Sequence, residues 1–395
     1  MSYLRLAAML CTLMGTAAYA APEFSSHPIF PAQDKHVHSS SIVQLPDGSF
    51  IACWFHGSGE RSSDDVKVQG ARLKKGASEW GPVFLMTDTP NVPDCNPVLF
   101  VDQKGRLWLF WIAVRANRWE TSILKYLRAE DPSGEGVPNW NWQDVIIPTL
   151  GDEFPKALDD GFKALDYDDQ MWAEYAPQYD KMIVEAAKDK GKRQQGWMTR
   201  THPITLASGR ILLPLYSDGF NASLVGISDD MGETWTMSLP MVGLGPIQPT
   251  VVPKKDGTLV AYMRDSGASP GRAMRSTSSD NGSTWSPAID SDILNPGSSL
   301  EVIALKDGRW LLIYNDADDG RHTLAVALSS DEGQTWSHTR HLEKVERGKG
   351  GFAYPSIIQS ADGAIHATYS HSAEKEGKFI KHATFNTEWI EAGDK

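Results

Sequence analysis

Polar and apolar residues alternate in six short segments, and each segment ends in a turn that contains a glycine. The glycines are Gly48, Gly105, Gly209, Gly257, Gly308 and Gly363. Two residues of each segment lie nine and seven positions before the glycine, and eleven of these twelve residues are polar. Two others lie eight and six positions before it, and ten of these twelve residues are apolar. This period of two predicts β-strands with one face in a core and the other on a polar cavity. The glycine turns predict that each strand continues into a hairpin.

A second pattern, S-x-D-x-G-x-T-W, occurs at residues 228–235, 278–285 and 329–336, with tryptophans 50 and 51 residues apart. A repeat of about 50 residues is typical of one four-stranded propeller blade. The aspartate would accept backbone N–H bonds, the glycine would take a positive φ, and the tryptophan would pack over the turn. Together the two patterns predict an all-β, six-bladed β-propeller. Asp229, Asp280 and Asp331 are predicted to be structural.

One interval between turns is too long for a single blade. Gly105 and Gly209 are 104 residues apart, about twice the repeat, and residues 152–196 contain runs typical of helices. We interpret residues 152–196 as a helical insertion between blades 2 and 3. A seventh, disguised blade is the alternative.

Functional residues are expected on one face of the propeller. The two kinds of turn share the bottom face, so the loops between the second and third strands of each blade, and the inter-blade connections, share the top face. The top loops lie at residues 56–65, 115–119, 216–218, 264–272, 315–321 and 370–371. Arg200, His202, Glu301 and Tyr354 belong to the polar row of the innermost strands and are predicted at the upper end of the channel.

The first 20 residues have the pattern of a secretory signal peptide. Arg5 precedes an apolar run, and residues 18–20 fit an A-x-A cleavage site. The run is too short for a retained membrane anchor, so residues 21–395 are predicted to form one periplasmic or secreted domain. The net charge of −12 argues against nucleic acid as a partner. No group of residues has the spacing of metal ligands, and no cofactor is expected. The spacing of Cys53 and Cys95 does not require them to form a disulfide.

The chain resembles the Asp-box (BNR repeat) sialidase-like family, often labelled exo-α-sialidase, over residues 36–390. The matching stretches are 53–57, 96–100, 248–252, 295–301 and 354–358. This family is known for a tyrosine nucleophile assisted by glutamate, an aspartic acid that protonates the leaving group, and three arginines that hold a carboxylate.

Carried over residue by residue, the resemblance implies that Tyr354 is the nucleophile. Asp64 or Asp65, of which we favour Asp65, matches the acid. Arg321, with Arg264 or Arg272, supplies two of the arginines. The chain departs from the family at residues 36–41, where the first arginine is missing, and at Gln248, which replaces the glutamate. Glu301 of the neighbouring blade is then the candidate substitute.

The chemistry of the residues, considered without the resemblance, predicts a similar site. A phenol with a pKa of about 10 needs a nearby cation or carboxylate to act as nucleophile or base. His202, Glu301 and Arg200 are the candidates beside Tyr354. The residues predicted to bind the substrate are Arg264, Arg321, Arg200, Gln248, Asn96 and His38.

We expect a glycoside hydrolase that removes a terminal, acidic sugar from a glycan. A uronate-active polysaccharide lyase and a non-catalytic glycan-binding propeller are the alternatives. The sequence does not define the oligomeric state.

Overall fold

The computed structural model describes residues 21–165, 177–266, 271–373 and 376–394. It consists of six antiparallel, four-stranded sheets, each of which is one blade of a propeller. The prediction of six blades is confirmed. The predicted signal peptide, residues 1–20, lies outside the described residues.

Blades 1 to 5 each use four consecutive strands, called A to D from the central channel outwards. After β1 (Phe24–Pro28), blade 1 comprises β2 (His36–Gln44), β3 (Phe50–Gly57), β4 (Lys67–Leu73) and β5 (Phe84–Thr87). Blade 2 comprises β6 (Asp94–Val101), β7 (Leu107–Ala113), β8 (Ile123–Ala129) and β9 (Trp142–Ile146). Blade 3 comprises β10 (Ile204–Thr205), β11 (Ile211–Ser217), β12 (Ala222–Ser228) and β13 (Thr236–Met237).

The remaining strands complete the ring. Blade 4 comprises β14 (Pro246–Pro253), β15 (Leu259–Asp265), β16 (Arg272–Ser278) and β17 (Ile289–Leu294). Blade 5 comprises β18 (Glu301–Ala304), β19 (Trp310–Tyr314), β20 (Thr323–Ser329) and β21 (Ser337–Lys344). Blade 6 comprises β22 (Gly350–Gln359), β23 (Ile365–Ala373) and β24 (Gly377–Phe385), with β1 as its outermost strand.

The two ends of the chain close the propeller together. β1 pairs antiparallel with β24, from Phe24 opposite Phe385 to Pro28 opposite Lys381. Trp389 stacks on Phe24 with ring centroids 4.6 Å apart. This pairing covers the open edge of β24, which would otherwise present unpaired backbone groups.

The glycine turns join strands A and B as predicted. All six glycines have positive φ, between 78° and 98°, a conformation that only glycine adopts without strain. The adjoining strands A and B of every blade are paired antiparallel.

The repeated S-x-D-x-G-x-T-W segments lie between strands C and D of blades 3, 4 and 5. One oxygen of Asp280 accepts hydrogen bonds from the backbone N–H groups of Ser283 and Thr284, at 3.0 and 2.9 Å, and the other accepts from the Thr284 hydroxyl at 2.6 Å. In the first segment this role belongs to Asp230, not to Asp229. The sequence prediction was wrong there because the third position of the motif is Asp230.

The described parts of the predicted insertion, residues 152–165 and 177–196, contain three helices and no blade; residues 166–176 lie outside the described residues. α1 (Glu153–Ala164), α2 (Pro177–Ala187) and α3 (Lys190–Arg193) follow one another between β9 and β10. Phe154 and Leu158 of α1 are fully buried in one cluster with Trp197 and Phe220, so this helix extends the core of the propeller. None of the described helices combines the length and apolar character that crossing a bilayer requires.

The two cysteines of the predicted mature domain are unpaired. Cys53 lies in β3 and Cys95 in β6, and both are buried. Burial raises the pKa of both thiols, so they behave as small core residues.

Removing the carboxylate at the centre of a C–D turn should destabilise the blade. We expect Asp230→Ala to lower the free energy of unfolding by about 1–2 kcal/mol, as the loss of a local cap does. The adjacent Asp229 is a matched control, because it only forms an ion pair with Arg210 at the surface, at 2.7 Å. Asp229→Ala should cost less than about 0.5 kcal/mol. Equal losses in urea denaturation would contradict the assignment of the turn to Asp230.

Candidate active site

Strand A is interrupted at the same place in four blades. Ser39, Asn96, Gln248 and Tyr354, each nine residues before the turn glycine, have positive φ of 58°, 49°, 55° and 52°. The pairing of strands A and B shifts by one residue at each of these points. They are β-bulges, which redirect a side chain and locally end the regular pairing. The bulges give the channel an upper layer of side chains.

Two phenols are joined by amide side chains in this upper layer. Gln248 Nε2 lies 3.0 Å from the hydroxyl of Tyr354 and 3.3 Å from that of Tyr216. Asn96 Nδ2 donates to the hydroxyl of Tyr216 at 3.0 Å. Gln248 and Asn96, which the sequence predicts to bind the substrate, thus belong to a hydrogen-bonded chain of side chains that reaches Tyr354. Their substrate-binding role stays a prediction.

Positive charge surrounds Tyr354. Arg264 Nη1 donates to its hydroxyl at 3.4 Å. The guanidinium carbons of Arg200 and Arg321 lie 4.9 and 5.5 Å from the centre of its ring. Cations in this position are attracted to the face of an aromatic ring. Three guanidinium groups therefore converge on one phenol.

His38 completes the surroundings of Tyr354. The two ring centroids are 4.1 Å apart. Burial lowers the pKa of His38 to about 3, so its imidazole is neutral at neutral pH. His38 therefore adds a flat, uncharged surface to the site.

Arg200 supports Tyr354 from below. It is fully buried and donates to the backbone oxygens of Pro355 at 2.6 Å and Ser40 at 3.4 Å. Its guanidinium group is thus engaged by the scaffold. The sequence placed Arg200 among the substrate-binding residues, whereas its observed contacts are those of a support for the Tyr354 ring.

His202 and Glu301 form a lower layer of the channel. One oxygen of Glu301 lies 2.8 Å from His202 Nδ1 and accepts from the His202 backbone N–H at 2.9 Å. The other accepts from the backbone N–H of Ile357 at 2.9 Å. The described hydrogen bonds of Glu301 thus go to this layer, while those of Tyr354 go to Gln248 and Arg264. A direct role for His202 or Glu301 in catalysis stays a prediction.

His202 and Glu301 each favour the charged form of the other despite their burial. Burial opposes the charge on both groups, but the attraction between them lowers the pKa of Glu301 and raises that of His202. His202 Nε2 lies 2.9 Å from the backbone oxygen of Ile42 in blade 1. The pair therefore ties blades 1, 3, 5 and 6 together across the channel.

The hydrogen bonds of Asp65 stabilise the loop to which it belongs. It accepts from the backbone N–H and the hydroxyl of Ser58 at 2.7 Å each, and from Lys35 at 2.7 Å. The hydrogen bonds from Lys35 and Ser58 lower the pKa of Asp65, which disfavours the protonated form that an acid catalyst needs. Asp64, the alternative, accepts from Asn117 at 2.7 Å.

A pocket of about 370 Å³ opens above Tyr354 on the top face. Its volume is within the usual range for ligand sites, about 300–1,000 Å³. The lining residues are Glu60, Arg61, Trp119, Tyr179, Tyr216, Asp218, Asn221, Ile247, Gln248, Arg264, Ser266 and Tyr354. A larger cleft of about 920 Å³ lies among the turns of blades 1 and 2, on the bottom face. Convergent charged and aromatic groups favour the top pocket as the functional site.

Sequence reasoning did not select several of the lining residues. Glu60, Arg61 and Asp218 lie in the predicted top loops, and Arg61 bridges two of them, with Nη2 3.3 Å from Asp218 Oδ2 and its guanidinium 4.5 Å from the centre of the Trp119 ring. Tyr179 belongs to α2, so the insertion contributes to the pocket wall. Within the described ranges, no three His, Cys, Asp or Glu side chains are arranged to hold a metal ion.

The family of the chain follows from comparison with known proteins. A BNR repeat-like domain matches residues 48–176 and 182–367. The chain therefore belongs to the BNR-repeat, sialidase-like family.

Individual relatives are more distant. The anhydrosialidase of Macrobdella decora is 27% identical over 179 residues, which span 41% of this chain and 23% of that protein. A protein of unknown function from Dyadobacter fermentans has a TM-score of 0.65 at 16% identity, covering 91% of this chain and 97% of the other. The intramolecular trans-sialidase from Ruminococcus gnavus has a TM-score of 0.64 at 16% identity, covering 90% and 95%. These similarities establish the fold.

The charged pair in the channel should give the stability a defined pH dependence. Because the pKa of Glu301 is below its ordinary 4.5 and that of His202 is above its ordinary 6.5, the pair stabilises most between these values. Its contribution is lost as the pH rises through the folded pKa of His202 or falls through that of Glu301. The double variant His202→Gln/Glu301→Gln lacks both ionisable groups. Its free energy of unfolding, measured by chemical denaturation at each pH, is subtracted from that of the wild type. A stability difference that is constant from about pH 4 to 9 would show that folding shifts neither pKa, and would contradict the predicted interaction between the two groups.

Proposed function

We propose that the protein is a secreted or periplasmic, exo-acting glycosidase that removes a terminal acidic sugar from a glycan. The observation that carries this proposal is the environment of Tyr354. Its hydroxyl accepts from Gln248 and Arg264, its ring lies among three guanidinium groups, and it faces a pocket at the mouth of a closed channel. The N-terminal signal pattern supports export, and the named sialidase relatives support the reaction class.

The arginines favour an acidic sugar. Arg264 lines the pocket, and its Nη1 atom lies beside the Tyr354 hydroxyl. A guanidinium group in a pocket favours a ligand carboxylate, because the planar group donates two parallel hydrogen bonds to it. Arg321, 5.5 Å from the Tyr354 ring, adds positive charge beside the same position.

Tyr354 is suited to meet positive charge that develops on the anomeric carbon. Gln248 and Arg264 both donate to its oxygen, and donors in these positions stabilise negative charge on that oxygen. Gln248 performs this task in place of the glutamate that the resemblance leads one to expect. An amide nitrogen donates to the phenol and takes no proton from it, so Tyr354 relies on surrounding positive charge for its activation.

A uronate-active lyase is the second candidate, and one observation favours it. Tyr216 and Tyr354 are both hydrogen-bonded to Gln248, so two phenols lie at one site. A base and an acid are the two proton-transfer groups that an elimination requires. Formation of an unsaturated sugar, detected by its ultraviolet absorbance, distinguishes elimination from hydrolysis. A glycan-binding propeller would bind without forming either product.

The reaction can be identified with a panel of substrates. Aryl glycosides of sialic, glucuronic, galacturonic and iduronic acids, and acidic oligosaccharides from the same sugars, are incubated with the purified protein. Release of a free acidic sugar supports the proposal. Binding without turnover of any member would overturn the enzymatic role.

Tyr354→Phe should abolish most of the activity while the fold is retained. The change removes one hydroxyl that lies between Gln248 and Arg264, so we expect kcat to fall by about 100-fold or more. Tyr126→Phe is a matched control, because the Tyr126 hydroxyl accepts from Trp142 outside the pocket. Circular dichroism and thermal unfolding establish that both variants are folded. Near-normal turnover by Tyr354→Phe would contradict its role at the reacting carbon.

Arg264→Lys should weaken recognition of the carboxylate. A lysine keeps the charge but cannot form two parallel hydrogen bonds, so we expect KM for the acidic substrate to rise about tenfold. A substrate whose carboxylate is reduced to an alcohol is the control, and its KM should change little. An equal rise for both substrates would indicate that Arg264 shapes the pocket and does not recognise the acid.

A further inference from the structure

We propose that Asp218 is the acid that protonates the leaving group, an inference that rests on the proposed glycosidase activity. Asp218 lies in the loop between β11 and β12 of blade 3 and lines the same pocket as Tyr354. Its side chain is one-third exposed, so it is open to a ligand and yet partly shielded from water. The acid would thus come from blade 3, not from the blade 1 loop that carries Asp65.

The nearby carboxyl groups differ in how strongly their surroundings hold the charged form. Asp65 is bound by Lys35 and Ser58, outside the pocket lining. Glu60 Oε2 lies 3.8 Å from His36 Nε2, and although burial opposes the charge on Glu60, the interaction with His36 and the positive charge of Arg61 keep its pKa below the ordinary value. Asp218 accepts one long hydrogen bond, through Oδ2 from Arg61 Nη2 at 3.3 Å.

The electrostatic surroundings of Asp218 and Glu60 also favour Asp218 as the acid. Burial raises the pKa of Asp218 above its ordinary value, against the opposing charges of Arg61 and Arg264. A carboxyl group that keeps its proton closer to neutral pH is the one suited to general acid catalysis. Two carboxyl groups, Glu60 and Asp218, thus line one pocket with their pKa values shifted in opposite directions.

The proposed step balances as follows. The carboxyl proton of Asp218 passes to the glycosidic oxygen while the bond from that oxygen to the anomeric carbon breaks, and the bonding electrons leave with the oxygen as an alcohol. The Tyr354 phenol oxygen faces the positive charge that develops on the carbon. Water then forms the new bond to carbon and returns a proton to the Asp218 carboxylate.

The test varies the leaving group. The acidic sugar identified by the panel is presented with a nitrophenol aglycone, which departs without protonation, and with a methyl aglycone, which needs it. For Asp218→Asn we expect kcat/KM on the methyl glycoside to fall by about 10²–10⁴-fold, and that on the nitrophenyl glycoside by less than about tenfold. The alkaline limb of the pH profile should also disappear, because it reports the loss of the acid's proton.

Two further variants make the result decisive. Asp319→Asn breaks an exposed ion pair with Arg347 on the same face and should leave both substrates unaffected. If Asp65→Asn shows the leaving-group dependence and Asp218→Asn does not, the acid is in blade 1 and the proposal is overturned. Equal losses on both aglycones by Asp218→Asn would mean that it only positions Arg61, and would also overturn it. If the wild type cleaves neither glycoside, the glycosidase proposal itself fails.

Discussion

The interruption of the innermost strands is the constraint on which the site depends. At four of the six blades, strand A takes a positive φ where a regular strand would continue. This conformation is unfavourable for residues other than glycine, and it persists because the surrounding blades fix the backbone on both sides. It separates an upper layer with Tyr354, Gln248 and Asn96 from a lower layer with His202 and Glu301. The side chains around Tyr354 and the His202–Glu301 pair thereby occupy different depths of one channel.

The two layers also differ in their hydrogen bonding. In the lower layer, the described partners of Glu301 satisfy both of its oxygens, and a buried charge requires this. In the upper layer, buried atoms such as Gln248 Oε1 and Arg264 Nε are without a hydrogen-bond partner among the described residues. Unsatisfied buried polar atoms are costly. Those beside Tyr354 could be satisfied by a ligand that fills the pocket.

Much of the fold could be predicted from the sequence, because the repeated turns depend on local chemistry. The turn glycines and the aspartates of the C–D turns act within a few residues, so their spacing alone indicates the blades. The bulges have a local signal as well, since Asn96, Gln248 and Tyr354 are each followed by proline. A proline within a strand is typical of a bulge or an edge. Glu301 is followed by valine, so this signal distinguishes Tyr354, at a bulge, from Glu301, in a regular strand.

The loop residues of the site could not be predicted in the same way. Glu60 and Asp65 belong to one short loop, and which of them faces the pocket depends on Lys35 and Ser58, which hold Asp65 elsewhere. The pairing of Arg61 with Asp218 joins loops 157 residues apart in the chain. Such contacts depend on how the blades are arranged around the axis, and a linear pattern does not contain that arrangement.

The pairing of β1 with β24 has a consequence for how the molecule is made. Phe24 and Phe385 are paired although they lie far apart in the chain, so β1 cannot join blade 6 until β24 has been synthesised. The entropy of closing such a long loop grows only slowly with length, by about 0.6 kcal/mol per doubling, but contacts this distant in sequence form late. During synthesis, blades 1 to 5 can assemble from consecutive strands as an open arc. The channel becomes a closed ring, with a defined mouth, only when both ends meet in blade 6.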